Sequence, residues 1–274
     1  MSIHRKVVAV TGGARGIGLA TATLLARLGG RVAIGDVDGD AVDAAGHALG
    51  LEVFGALDVT QEASFTAFLD RTEQTLGPID VLVNNAGIIA VGPALDEPTE
   101  LTQRLIAVNI SGVILGTKLA AARMRRRGSG HVINIASASA VMPVPGIATY
   151  SATKHAVLGF TDAVRLENRR TGVHFSTVMP ALTNTDMVTG IGRARGIKNI
   201  EPEDVAAAVA GLIRRPRPRV MVPRTFGAIA LTGRRLLPRP AYESLERALG
   251  AERVFQDSVD PSLRTAYERR IRNS

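Results

Sequence analysis

The eight residues TGGARGIG, Thr11–Gly18, follow the apolar run KVVAV (6–10) and open the helical pattern GIGLATATLLARLGG. A strand that turns on glycines into a helix lets the backbone come close to an anion. The free N–H groups of the helix N-terminus then stabilise the negative charge of a pyrophosphate. The predicted contacts are Gly12, Arg15, Gly16, Ile17 and Gly18, although the glycine spacing differs from the commoner G-x-G-x-x-G and is a weak signal alone. The next predicted strand, RVAIGD (31–36), strengthens it. Asp36 ends that strand 18 residues beyond Gly18, where a carboxylate accepts hydrogen bonds from a ribose diol and repels a 2′-phosphate. The pair predicts NAD over NADP, with Arg15 as the feature that offers a phosphate some compensation.

Working outward, short β-branched runs alternate with longer helical patterns. Further predicted strands are LEVFGALDV (51–59), IDVLVNN (79–85), HVINIAS (131–137), VHFSTVMP (173–180) and RVMVP (219–223). Most are continuously apolar, as strands buried on both faces are. Strand and helix in alternation imply right-handed crossovers and an α/β, doubly wound parallel sheet covered by helices on both sides. At the end of the third strand, Asp58 with Val59 has two readings: a cap on the adenine, or an aspartate that starts a helix. Residues 1–223 read as one dinucleotide-binding catalytic domain. After it the pattern changes to RTFGAIALTGRRLLPRPAYESLERALG and a helical stretch at 261–272, a helical extension over 224–274.

Composition narrows the function classes. The 274 residues are 46% hydrophobic and 21% charged, enough for a sizeable core. Cysteine is absent, which excludes disulfides and thiolate metal sites and fits a reducing, cytoplasmic setting. The five histidines form no metal pair, so no metal site is predicted. The N-terminus runs directly into the first strand, and a secretory leader is not expected ahead of it. No uncharged apolar run approaches the roughly 18 residues needed to span a bilayer. The net charge of +8 is regional, because eight arginines from Arg214 to Arg239 fall in a stretch without an acidic residue. That stretch reads as a solvated surface or as one that meets anionic lipid or another acidic partner. It lacks the interleaved aromatics of a nucleic-acid reader, and no nucleic-acid partner is expected.

The glycine turn, the NNAG of Asn84–Gly87, Asn109, Ser137 and the YSATK of Tyr150–Lys154 resemble, in order and interval, the short-chain dehydrogenase/reductase family over residues 5–223. The resemblance implies seven strands in the order 3-2-1-4-5-6-7 and a nicotinamide cofactor at their C-terminal ends. It implies Asn85, Ala86, Gly87, Pro180, Thr183 and Thr185 as cofactor contacts and Lys154 as holder of the nicotinamide ribose. It also implies Ser137, Tyr150, Lys154 and Asn109 as the catalytic group, with Asn109 anchoring a proton-relay water. On its own residues, Asn109 also reads as a satisfied buried amide. Where the family often has Pro-Gly after the sixth strand, this chain has Pro180-Ala181, which restricts the turn.

The chemistry of the Tyr–Lys pair follows from spacing. Residues i and i+4 share a helix face, so an ammonium can stand beside the phenol. That ammonium, with a cationic oxidised nicotinamide, is expected to lower the phenol's pKa from about 10 and make Tyr150 a general acid/base. Ser137 is expected to hold the substrate oxygen.

The substrate pocket is predicted from Ser139, Val141, Met142, Pro143, Ile147 and Met187, mostly apolar, which favours a lipophilic alcohol or ketone. DMVTGIGRARGIKNIEPED (186–204) has the glycine content of a lid. The extension resembles those of retinoid- and steroid-type members, which implies C-terminal helices that border the substrate cleft. TFGAIALTGRRLLPRP (225–240) reads either as an interfacial helix in peripheral contact with a membrane or as packing on the body or a partner subunit. The family resemblance implies a homodimer through the helices carrying Asn109 and Tyr150, and a homotetramer if the extension permits. Two alternatives remain open: an NADP-dependent reductase of a small polar carbonyl, and a nonenzymatic cofactor-binding scaffold.

Overall fold

In the computed structural model the described residues are 2–142, 144–192, 199–225, 238, 240, 254–255 and 259–273. Seven parallel strands form one sheet in the order β3-β2-β1-β4-β5-β6-β7, as expected. They are β1 Val7–Thr11, β2 Arg31–Asp36, β3 Val53–Ala56, β4 Val81–Asn84, β5 Gly130–Ile135, β6 Val173–Pro180 and β7 Arg219–Val222. The strand predicted over 51–59 shortens to Val53–Ala56; Leu57 N–H still donates to Asp36 O at 2.8 Å, and from Asp58, whose carbonyl accepts Gln61 N–H at 3.2 Å, the chain turns toward the next helix.

Alternation along each strand builds two cores from one sheet. Val8 and Val10 of β1 face Leu25 and Ala22 of α1 (Gly16–Arg27) and Val209 of α7 (Pro202–Arg214). Val7 and Ala9 face the other way, toward Phe65 and Leu69 of α3 (Glu62–Leu76) and Met124 of α5 (Val113–Arg127). Each fully buried side chain of this kind contributes about 1.5–3 kcal/mol. α2 (Gly39–Leu49) begins at Asp38, whose side chain accepts Ala41 N–H, and closes on a left-handed Gly50.

α4 (Thr99–Ile106) continues through a π-helical segment, Ala107–Gly112, into α5, so Asn109 sits on a π turn within a long helix. By length and composition the stretch Thr99–Arg127 could cross a bilayer, contrary to the expectation from uncharged runs, which Lys118 interrupts. Its apolar face, including Val108, Ala120 and Met124, is buried against the sheet. α6 (Ala148–Glu167) packs beside it and carries Tyr150 and Lys154.

The last helix, α8 (Pro261–Asn273), returns to the C-terminal edge of the sheet. There Val254, Phe255, Tyr267 and Ile271 bury against Ile89 and Ile147 in a third apolar cluster. Residues 193–198 of the predicted lid, Pro143, and most of the predicted interfacial stretch 225–240 with its Arg234, Arg235 and Arg239 lie outside the described residues.

Candidate active site

The glycine turn is stitched to the strand beside it. Thr11 Oγ1 accepts the N–H groups of Asn85 and Ala86, both at 3.0 Å, and Asn85 Nδ2 donates to the carbonyls of Thr11 and Gly12 at 3.0 Å. A Cβ at Gly18 would overlap the Gly12 carbonyl oxygen, so glycine there closes the turn onto the first coil of α1. α1 has no side-chain cap at Arg15, which leaves its first-turn N–H groups for an anion.

Asp36 holds the far side of this turn. Its Oδ2 accepts Ala14 N–H at 3.1 Å and its Oδ1 accepts Asp38 N–H at 3.2 Å. Arg15 is engaged rather than free: it donates to Asp38 at 2.7 Å and lies 3.9 Å from Asp186. The Arg15 guanidinium, helped by Ala41 N–H, holds the Asp38 carboxyl below its ordinary range. Asp38 was not among the predicted residues, although its place ahead of a helix after the second strand was a readable signal.

At the other end of the site, Ser137 follows β5 and its Oγ accepts Ser139 N–H at 3.2 Å. Tyr150 and Lys154 lie one turn apart on α6. Lys154 Nζ donates to Ile135 O at 3.2 Å and sits 5.5 Å from the Tyr150 ring centroid. The expected lowering of the phenol's pKa does not hold within the protein itself. Burial pushes Tyr150 up to about 12, against a hydrogen bond with Ser137, and burial pushes Lys154 down to about 8. Desolvation outweighs the attraction across that separation.

Asn109 is a satisfied buried amide. Its Oδ1 accepts Ile88 N–H at 2.9 Å, and its Nδ2 donates to Ile88 O at 2.9 Å and Thr153 Oγ1 at 3.1 Å. The clamp stands next to the lysine. A Cβ at Gly87 would lie 3.2 Å from Asn109 Oδ1 and 3.3 Å from Lys154 Nζ, so glycine lets both approach.

A cavity of about 370 Å³ joins Asp36 to Tyr150. Every predicted cofactor residue lines it except Gly18, which is buried in the turn. Asp58 lines the cavity while its Oδ1 accepts from Thr60 N and Oγ1 at 2.9 and 2.7 Å, in the turn ahead of α3, whose N-cap is Gln61. Thr183 donates to Ala181 O at 2.9 Å. Ala181 has no positive φ, so the departure from Pro-Gly brings no left-handed strain. Ser139, Met142, Ile147 and Met187 line the cavity as predicted. Val141 does not; it packs against the cluster of Val113, Ala140 and Met179.

Helix α8 of the extension roofs the cavity with residues that no motif singled out. Tyr267, Arg270 and Ile271 of α8 line the cavity, and the Tyr267 oxygen accepts Ile89 N–H at 2.9 Å. The spacing of Arg264, Tyr267 and Ile271 marks a helix face but carries no information about what that face covers. The described part of the predicted lid is pinned to this helix. Arg264 donates to Met187 O at 3.3 Å and Thr189 O at 3.2 Å, Asp260 N–H donates to Gly190 O at 2.8 Å, and Arg270 lies 3.6 Å from Asp186.

A family model described as short chain dehydrogenase matches residues 6–196. A probable oxidoreductase named EphD from Mycobacterium tuberculosis is 30% identical over 258 residues, 85% of this chain but 43% of that protein, so the chain spans less than half its length. A 3-alpha-(or 20-beta)-hydroxysteroid dehydrogenase from the same organism is 34% identical over 216 residues, 77% of this chain and 78% of that protein. The solved structure of a short chain dehydrogenase/reductase from Burkholderia phymatum in complex with NAD superposes with a TM-score of 0.77 at 25% identity, covering 85% of this chain and 93% of that one.

Proposed function

This chain belongs to the short-chain dehydrogenase family, and from that premise we propose that it is an NAD-dependent oxidoreductase interconverting a lipophilic secondary alcohol and its ketone, or a primary alcohol and its aldehyde. The observation that carries the reading is one cavity with a ribose-binding carboxylate, Asp36, at one end and Ser137, Tyr150 and Lys154 together at the other.

The residues fit a dinucleotide. The uncapped first turn of α1 accepts the pyrophosphate, Asp36 accepts from the adenosine ribose hydroxyls, and Lys154, with one of its three donors used on Ile135 O, has two left for the nicotinamide ribose. When bound, the nicotinamide supplies the hydride acceptor or donor and, in its oxidised form, a positive charge that favours the phenolate. Ser137 Oγ donates to the substrate oxygen as charge develops on it. Tyr150 gives its proton to that oxygen in reduction and takes it back in oxidation. Asn109 acts as a positioning residue that sets Ile88 and Gly87 beside Lys154.

The preference for NAD rests on the carboxylates of Asp36 and Asp38 and on Arg15 being paired with Asp38, which leaves a 2′-phosphate repelled rather than met. The lipophilic substrate rests on Met142, Ile147, Met187 and Phe255 lining the catalytic end. Residues 1–223 are taken as the catalytic domain and the outer faces of α4–α5 and α6, where Ile106 and Leu166 are exposed, as the surface of a homodimer.

The test measures kcat/KM with NAD and NADP across steroid, retinoid and fatty alcohols for wild type, Tyr150→Phe and Asp36→Ala. Tyr150→Phe should lose at least about a hundredfold in kcat, and Asp36→Ala should lose the NAD preference. Undiminished turnover by Tyr150→Phe would overturn the reading.

A further inference from the structure

Tyr267 is buried to 6% exposure at the catalytic end of the cavity, among Ile89, Ile147, Val254, Phe255 and Ile271. Its oxygen accepts Ile89 N–H at 2.9 Å, which uses one lone pair and leaves the phenolic proton. Among the described residues no acceptor takes that proton. Two guanidinium groups stand by the ring, with Arg264 Cζ 5.2 Å and Arg270 Cζ 5.3 Å from its centroid, and help to fix its orientation. Burial pushes this phenol up to about 12, and it keeps its proton at neutral pH. Tyr267 and Tyr150 are near enough for the charge of one to disfavour ionisation of the other.

A buried donor is disfavoured unless something accepts from it, and Tyr267 lines the space where the substrate lies. We infer that Tyr267 is a specificity-determining residue whose O–H donates to a second oxygen of the substrate, remote from the reacting carbon. The inference rests on the oxidoreductase reading and narrows it: the substrate is a lipophilic ketone or alcohol bearing a further hydroxyl, ether or carbonyl oxygen. A site built around a hydrogen bond rejects the analogue that lacks it, because the protein's own donor is then left unpaired.

The full chain is assayed with NADH on decalone and on hydroxydecalones, bicyclic ketones that differ only in the second oxygen. Wild type should favour at least one hydroxydecalone by about tenfold or more in kcat/KM, and Tyr267→Phe should bring the ratio of the two kcat/KM values close to one, chiefly through the KM of the hydroxydecalone. Loss of the Ile89 hydrogen bond alone would lower both substrates equally, and that result, or no change on either, overturns the inference. Should Tyr267→Phe not fold, wild type that fails to distinguish the two ketones overturns it as well. Wild type that reduces neither ketone, with Tyr150→Phe equally inert on every alcohol tried, sinks the oxidoreductase reading instead. Calorimetric affinities of wild type for the same two ketones then decide the Tyr267 assignment.

Discussion

Lys154 places its ammonium 5.5 Å from the centroid of the Tyr150 ring while donating to the carbonyl of Ile135 at 3.2 Å, so a single buried cation joins the end of β5 to the first turn of α6. Burial already draws its pKa down to about 8. A charge that position alone disfavours, kept beside a phenol, is a feature of chemistry more than of stability.

Lys154→Met is therefore expected to lower kcat by about a hundredfold or more while leaving the melting temperature unchanged or raised by a few degrees. The pH dependence has a definite sign. Between about 8 and 10.5 the unfolded chain holds this proton and the folded chain does not, so wild-type stability gains from this group as pH rises through that window. Melting curves across it should show the gain in wild type and not in the variant; a large drop in melting temperature for Lys154→Met would refute the assignment.

Asp38→Asn releases Arg15 from its 2.7 Å ion pair and removes a negative charge beside Asp36. The ratio of kcat/KM for NADP to that for NAD should rise about tenfold or more, measured at low salt where the freed guanidinium is least screened. An unchanged ratio would show that Arg15 has no part in cofactor choice.

His131, buried on β5 with Nε2 2.7 Å from Ser176 Oγ, is pushed down to about 3 by burial, with the neighbouring His174 adding to the effect. The unfolded chain takes up this proton near pH 6.5, the folded chain only near 3. Stability is thus complete above 6.5 and falls as pH drops toward 3, by at most about 1.4 kcal/mol per pH unit from this group. Urea midpoints at pH 7, 6 and 5 should decline for wild type and decline less for His131→Gln.

Arg264 holds Met187 O and Thr189 O from within α8. Arg264→Met should speed amide exchange at Val188 and Thr189 by about tenfold and raise KM more than it lowers kcat. Exchange equal to wild type would mean that the other ties, Asp260 N–H to Gly190 O and Arg270 to Asp186, suffice to hold the lid.

Particular elements show why some of this was legible in the chain and some was not. The seven strands were readable because burial on both faces writes continuous apolar runs, and their order came with the resemblance. Thr11–Gly18 and Asp36 were readable because a turn, a strand end and the distance between them are local. The Tyr150–Lys154 pair was readable because i and i+4 share a helix face whatever the rest of the molecule does. The direction of the Tyr150 shift was not, since it depends on how much water the surrounding atoms exclude, and Val141 could be placed beside the site by proximity in sequence though its side chain turns into another core.

What the amino-acid order by itself determined is the sheet and the residues proposed to hold the cofactor and to carry the chemistry, each encoded over a few residues or one repeating period. The pairing of Arg15 with Asp38 and Asp186, and the roof in which Tyr267 meets Ile89 across 178 positions, were decided only by tertiary structure. Contacts at that separation are selected by how whole elements pack, and no local pattern carries them.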